Sequence, residues 1–286
     1  MTDNGPQRAI KRPRILVGVD GSEDGLRAVT YASREARAAG GEVWIVHAVD
    51  EGAPATGLWD IVNSQDARRK AGEKVVAEAV GVAAEAGLPA DRLSGEVRFG
   101  RPSDVLADLS RTAQMLVLGR RSLSGLERMF VGSTSVSAAV HAACPVIVIS
   151  AASTPHETGG LRTVAVGVST WPVHESALTW GLKESAIRKA RLRVVHVVPE
   201  SLGLEGAPLV EAASTELAAQ LVPYRAKHPA VPVEVEVLLG DPVASLIAIS
   251  KATDLLILGV HHYHAVLGGP TRAVLAHAHC PVGLIT

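Results

Sequence analysis

The chain has 286 residues, enough for two domains of ordinary size, and its 28 basic and 29 acidic side chains leave a formal charge of −1. No net field therefore draws it toward nucleic acid or an anionic membrane, and its longest apolar stretches, such as Met115-Leu116-Val117-Leu118, fall far short of the roughly 20 residues that cross a bilayer. Hydrophobic residues make up 47% but aromatic ones 3%, so the core must be built from Ala, Val, Leu and Ile, a composition that suits buried strands and closely packed helices.

In chain order, residues 1–14 are polar and basic and lack the apolar centre of a secretory signal; they are expected to form a frayed tail on a cytoplasmic protein. Short β-branched runs follow at 14–19, 43–48, 96–99, 115–118 and 146–149, separated by Ala-rich helical stretches at about 24–39, 67–86, 102–111 and 134–143. Strands apolar on both faces and joined by helices predict a parallel sheet covered on both sides, with right-handed crossovers. Residues 151–161, rich in Ala, Ser, Thr, Pro and Gly, read as a linker.

Beyond the linker the pattern starts again. Ile15-Leu16-Val17-Gly18-Val19-Asp20 matches Val164-Ala165-Val166-Gly167-Val168-Ser169 at an offset of 149, and the same offset pairs Ile45-Val46-His47 with Val194-Val195-His196. Leu116-Val117-Leu118-Gly119 matches Leu256-Ile257-Leu258-Gly259 at 140, and His141-Ala142-Ala143-Cys144-Pro145-Val146 matches His277-Ala278-His279-Cys280-Pro281-Val282 at 136. A period near 140 is that of a duplicated domain, not of a solenoid. Two α/β domains are expected, 1–151 and 161–286, each a doubly wound, Rossmann-like, five-stranded parallel sheet of order 3-2-1-4-5. Cys144 and Cys280, the two cysteines, are expected to be buried free thiols at equivalent positions. His47 and His196, inside apolar strands, are expected to be hydrogen-bonded structural residues.

In such sheets ligands bind beyond the carboxyl ends of the strands, where the winding reverses. With the order 3-2-1-4-5, that point would lie between the exits of the first and fourth strands, Asp20 and Gly119. In the loop from Gly119, Gly132 lets the backbone approach a ligand closely, and Ser133 and Thr134 open a helix whose free amides and positive dipole end favour a phosphate. Arg120, Arg121 and Arg128 could offset its charge, although three arginines in a loop are more often simply solvated. There is no G-x-x-x-x-G-K-[ST], and no G-x-G-x-x-G follows the first strand. A long surface connection with glycines for turns accounts for the same residues, so both readings stand on residue chemistry alone.

Taken together, Val17-Gly18-Val19-Asp20-Gly21-Ser22, Val43-Trp44-Ile45-Val46-His47-Ala48, the loop glycines and the closing His-Ala-Ala-Cys-Pro-Val resemble the universal stress protein family in its tandem-domain form, over nearly the whole chain. The family's loop carries Gly, two residues, Gly, nine residues, then Gly and Ser or Thr. Gly119, Gly132 and Ser133 fall on that pattern, and Ser122 stands where the middle glycine belongs. The resemblance implies an adenine nucleotide in the first domain: ATP, with AMP or ADP as alternatives and Mg accompanying ATP, with little or no hydrolysis. It implies Val19 and Asp20 on the ribose or adenine side and Val43 beside the adenine. Leu118, Gly119, Ser122, Gly132, Ser133 and Thr134 would surround the ribose and phosphates. It also implies that the closing strands of the two halves meet in an intrachain pseudo-dimer and that chains pair as homodimers.

Two other readings differ in class. A slow ATPase needs a general base and a metal-holding carboxylate near the γ-phosphate, for which Asp20 and Glu127 are the evident candidates; a nucleotide-free scaffold would follow if Ser122 had ended binding. In the second half Ser169 replaces Asp20, Gly269 replaces Ser133 and Pro270 replaces Thr134. Proline has no N–H to offer a phosphate, so the second domain is expected to bind nucleotide weakly or not at all. His261, His262, His264, His277, His279 and Cys280 lack a standard zinc spacing.

Overall fold

The computed structural model describes residues 12–50, 58–120, 137–138, 140–153, 162–169, 174–200, 206–260 and 267–286, with side chains in the second stretch from 65 onward. The first half runs β1 (Arg14–Gly18), α1 (Glu23–Ala39), β2 (Glu42–Val49), α2 (Leu58–Glu85), β3 (Leu93–Phe99), α3 (Pro102–Ser110), β4 (Met115–Gly119) and β5 (Val146–Ile149). The second runs β6 (Thr163–Val168), α4 (Glu175–Arg188), β7 (Arg191–Val198), α5 (Gly206–Lys227), β8 (Val233–Leu239), α6 (Pro242–Ser250), β9 (Leu255–Gly259), α7 (Gly269–His277) and β10 (Val282–Ile285). Most of the helix expected over 134–143 lies outside the described residues; Ser137, Ala138, Val140 and His141 are helical.

Local chemistry sets the element ends. Ser22 caps α1 by accepting from the Gly25 amide at 3.2 Å, Glu23 and Asp24 sit in the positive first turn, and Gly40 ends the helix at φ 66°. The matching end of α4 uses Lys189 at φ 52°. β3 begins at Leu93, earlier than the β-branched run at 96, because Leu93, Ser94 and Gly95 already pair with Val43, Trp44 and Ile45 of β2; Gly95 also lets α2 lie close, since a Cβ there would come within 2.5 Å of a Val76 methyl.

The strands form one ten-stranded sheet of order β3-β2-β1-β4-β5-β10-β9-β6-β7-β8. Pairing is parallel within each half, and β5 meets β10 antiparallel, with Val148 opposite Val282 and Val146 opposite Leu284. Each half thus has the expected order 3-2-1-4-5. Alternate residues feed two apolar layers. Val17, Ile45, Val117 and Ile147 pack under α1, α2, α4 and α5, while Leu16, Val46, Leu116 and Val146 pack under α3, α6 and α7. Both layers run through the β5–β10 seam.

Both halves close in the same way. The buried Ser110 hydroxyl accepts from the Ala143 amide at 2.8 Å and the buried Ser250 hydroxyl from the His279 amide at 2.9 Å, which pins the chain just before each cysteine. Cys144 and Cys280 are buried and free, and burial pushes each thiol up to about 12. At pH 8 such a thiol is thiolate in only about one part in ten thousand. Maleimide at that pH is therefore expected to label neither cysteine in the folded chain and both after denaturation. Rapid labelling of either one in the native state would show that its strand end opens.

Candidate functional site

β1 and β4 are neighbours in register, Gly18 opposite Leu118, so their exits Val19-Asp20 and Gly119-Arg120 leave the sheet side by side. Val19 is buried; its amide donates to the Val46 carbonyl at 3.0 Å, and its carbonyl is bonded to His47 Nδ1 at 2.8 Å. The second half repeats this with His196 Nδ1 on the Val168 carbonyl, also at 2.8 Å. The two strand histidines thus fix the backbone where it turns out of the sheet, which is the structural role expected of them.

Asp20 is exposed, and its Oδ1 accepts from the Ser22 amide at 3.0 Å. This Asx turn runs over Gly21, whose φ of +81° favours glycine. The carboxylate is thereby held at the mouth of the β1 exit, one turn before α1.

Gly119 has a packing reason for lacking a side chain. A Cβ there would lie 2.5 Å from the Asp24 carbonyl carbon and 2.5 Å from the Gly25 nitrogen, so the first turn of α1 is seated directly on the end of β4. Leu118 is buried on the opposite face, over Gly18 and beside Leu106 of α3.

Val43 does not belong with these residues. It is fully buried at the amino end of β2, opposite Ile15 and Leu93. In a parallel sheet the amino ends of all strands lie together, on the edge away from the exits. With Gly18 opposite Val46, two further steps bring Asp20 level with Ala48, about 16 Å along the strand from Val43. Ala48, half-buried, is the β2 residue beside the switch point. Counting the register from the strand exit, instead of from its start, would have found it.

Asp24 is fully buried and accepts from Arg27 Nη1 at 2.8 Å. Burial pushes its carboxyl above the usual range, against the opposing pull of Arg27 and Arg120. The Arg120 amide donates to the Ile149 carbonyl at 2.5 Å, and its guanidinium crosses to the second half, where Nη1 donates to the Ala276 and Leu275 carbonyls at the end of α7. Arg120, expected to offset phosphate charge, instead caps the negative end of a helix. A cavity of about 680 Å³ opens beyond it, lined by Arg120, Ala152, Lys251, His277 and His279 among others. Ser122, Gly132, Ser133 and Thr134, with Arg121, Glu127 and Arg128, lie outside the described residues, as do His261, His262 and His264.

Beyond the shared histidine bond the second half differs. Ser169 follows β6, Val260 is buried where Arg120 reaches across, and a Cβ on Gly259 would meet the His174 ring at 2.7 Å instead of a helix backbone. His174 Nδ1 itself caps α4, accepting from the Ala177 amide at 3.4 Å.

The family model for the universal stress protein family matches residues 11–150 and again 160–285. A universal stress protein of Mycobacterium tuberculosis is 29% identical over 290 residues, 95% of this chain and 96% of that one; one of Mycolicibacterium smegmatis is 28% identical over 292 residues, again 95% and 96%. Among solved structures, a universal stress protein from Archaeoglobus fulgidus superposes with a TM-score of 0.71 over 96% of this chain and 97% of that one, at 17% identity, a likeness of fold. Two consecutive matches account for nearly all of the sequence, and the chain belongs to the universal stress protein family.

Proposed function

We propose that this chain is an adenine-nucleotide-binding stress or signalling module, with one nucleotide held at the switch point of a first domain, 1–151, and a second domain, 161–286, whose equivalent site is degenerate. The observation that carries the reading is Asp20: an exposed carboxylate, fixed by the Ser22 amide and by the His47 bond beneath it, at the reversal of winding. A carboxylate there accepts hydrogen bonds from two ribose hydroxyls, a contact that the single hydroxyl of Ser169 cannot reproduce.

Ala48, level with Asp20, is small enough to leave room for a flat base, and Val19 completes that wall. Ser122, Gly132, Ser133 and Thr134 are assigned to the phosphates, as the family pattern implies. ATP is the expected nucleotide, with AMP and ADP as alternatives. ATP would bring Mg with it, and a bound Mg would screen phosphate charge. Of the two carboxylates that a slow ATPase would use, Asp20 is assigned to the ribose and Glu127 lies outside the described residues; Asp24, close by, is buried against Arg27. With Asp20 engaged on the ribose and Asp24 held by Arg27, we favour binding with little or no hydrolysis over a slow ATPase.

The proposed homodimer uses an outer surface, since β5 and β10 are paired with each other. No helix among the described residues is long and apolar enough to cross a membrane.

Denaturing the purified protein and separating the released small molecules by ion-pair chromatography is expected to yield adenine nucleotide, and calorimetry with AMP, ADP and ATP, with and without Mg, to give one equivalent per chain. Asp20→Ala is expected to weaken binding roughly 10- to 100-fold, the loss of hydrogen bonds to a charged group, with little change in the melting temperature of the nucleotide-free protein. No uptake at millimolar nucleotide would leave the scaffold reading in its place. Gly119→Ala is expected to act differently. Forcing a methyl against the α1 backbone costs about 1–3 kcal/mol, so the nucleotide-free protein should melt several degrees lower; an unchanged melting temperature would show that α1 is not held on β4 in this way.

A further inference from the structure

α1 and α4 lie on the same face of the sheet and meet across the β5–β10 seam, where a cluster of charged side chains is buried. Arg188 of α4 donates from Nη1 and Nη2 to the two carboxylate oxygens of Glu35 on α1, both at 2.9 Å. Its Nη2 also reaches the Tyr31 hydroxyl at 3.0 Å and Glu184 Oε2 at 3.1 Å, and its Nε reaches the same Glu184 oxygen at 3.2 Å. Side-chain exposure is 7% for Arg188, 16% for Glu35 and 6% for Glu184. One guanidinium thus serves two carboxylates in a space nearly closed to water.

The repeat explains why two glutamates meet there. At the offset of 149 that aligns β1 with β6, Glu35 is the counterpart of Glu184, and the helix ends Gly40 and Lys189 are counterparts too. Two equivalent carboxylates therefore face one another across the pseudo-twofold. The cation between them has no equivalent: the counterpart of Arg188 is Ala39. Two first-half surfaces brought together would bury Glu35 against Glu35 with no guanidinium, which leaves charge uncompensated in a low-dielectric space. Two second-half surfaces would bring two arginines into the volume that one fills.

We propose that Glu35, Glu184 and Arg188 form a polarity key, by which the α1–β5 surface of the first half accepts the α4–β10 surface of a second half and rejects another copy of itself. The backbone ladder does not make this distinction by itself. Val146–Ile149 and Val282–Ile285 are both four-residue apolar strands, and their main-chain hydrogen bonds would serve a copy of either; Gly283 opposite Ile147 sets how closely the strands approach, and the charged cluster adds the penalty for a wrong partner. An apolar cluster of equal volume would hold the seam as firmly or more so, whereas a charged cluster with a single arginine discriminates.

The full-length chain tests this, because substitutions at two positions convert its seam from one polarity to another. The ionisable groups that face Glu184 are Arg188, Glu35 and Lys183, with Tyr31 joined through Arg188. Burial already raises the Glu184 carboxyl against the pull of Arg188. Its folded form therefore holds a proton more tightly than its unfolded form, and this contribution to stability is present at low pH and lost as pH rises through the folded value.

Arg188→Ala mimics a first-half pair, and its melting temperature is expected to fall by on the order of 10 °C at pH 7.5 and clearly less at pH 5. Arg188→Ala with Ala39→Arg supplies the guanidinium from the other half and is expected to regain at least half of the loss at pH 7.5. Arg188→Ala with Glu35→Gln removes one of the opposed charges and is expected to regain a similar share. If Arg188→Ala alone does not fold, recovery of folded, soluble protein in both double variants is the supporting result. Failure of either double variant to improve on Arg188→Ala, or an equal loss at both pH values, would overturn the proposal.

Discussion

The antiparallel pairing of β5 with β10 is the constraint on which the rest of the molecule depends. Without it each half would end in a short, fully apolar strand with one row of unpaired amides and carbonyls, a template for association with any other chain. With it the two cores become continuous, and both layers of the sheet gain cover from helices of both halves. The closeness of that contact is set by Gly283, where a Cβ would come within 2.9 Å of the Trp180 ring and 3.3 Å of the Ile147 side chain. A glycine in a strand weakens it locally; here it admits an indole to the seam, which suits a core otherwise poor in aromatic residues.

A duplicated fold with one shared core leaves the exits of the strands free to diverge. Both halves keep the histidine that fixes the first exit, through His47 on Val19 and His196 on Val168, since that bond satisfies a backbone carbonyl whatever lies outside. What differs is what the fixed backbone presents: a carboxylate at Asp20 and a hydroxyl at Ser169. The same division holds for the glycines after β4 and β9. Gly119 is required by helix backbone and Gly259 by an imidazole, so a shared residue type does not imply a shared ligand.

Fold and repeat were legible in the sequence because both rest on local signals. Apolar β-branched runs, Ala-rich helices and turn residues at constant offsets predict two doubly wound parallel sheets, whereas the order 3-2-1-4-5 is one of several such an alternation allows and is read from the pairing of the strands. The site was legible only as far as it depends on chain direction. Asp20 and Gly119 lie at the strand exits, as expected, because an exit can be read from chain direction, whereas Val43, which the resemblance puts beside the adenine, lies at the amino end of β2, and the register continued two steps past Gly18 and Val46 brings Ala48 level with Asp20. The resemblance puts Gly119 beside the ribose and phosphates, and its packing reason is not visible in the sequence, since α1 sits on it through helix backbone and leaves no side-chain signature. The Glu35–Arg188–Glu184 cluster was missed for a related reason. Its members look like solvated charges on two separate helices, and only the pairing of the terminal strands brings those helices together.

Arg120 shows how the second half serves the first. It immediately follows Gly119 and opens the loop assigned to the phosphates, yet its guanidinium is held by the last carbonyls of α7, a helix of the other half. The start of that same helix is where a phosphate site would be expected by analogy with the first half, and there Gly268 offers no side-chain cap and Pro270 no amide. That start lacks one amide and a side-chain cap, and the opposite end supplies acceptors to a loop it does not belong to. Val260, buried at the place equivalent to Arg120, makes no return contact of this kind. Among the described residues, the side-chain contact between the halves at these strand exits therefore runs from Arg120 to α7, and the last carbonyls of that helix hold the base of the first-half loop in place.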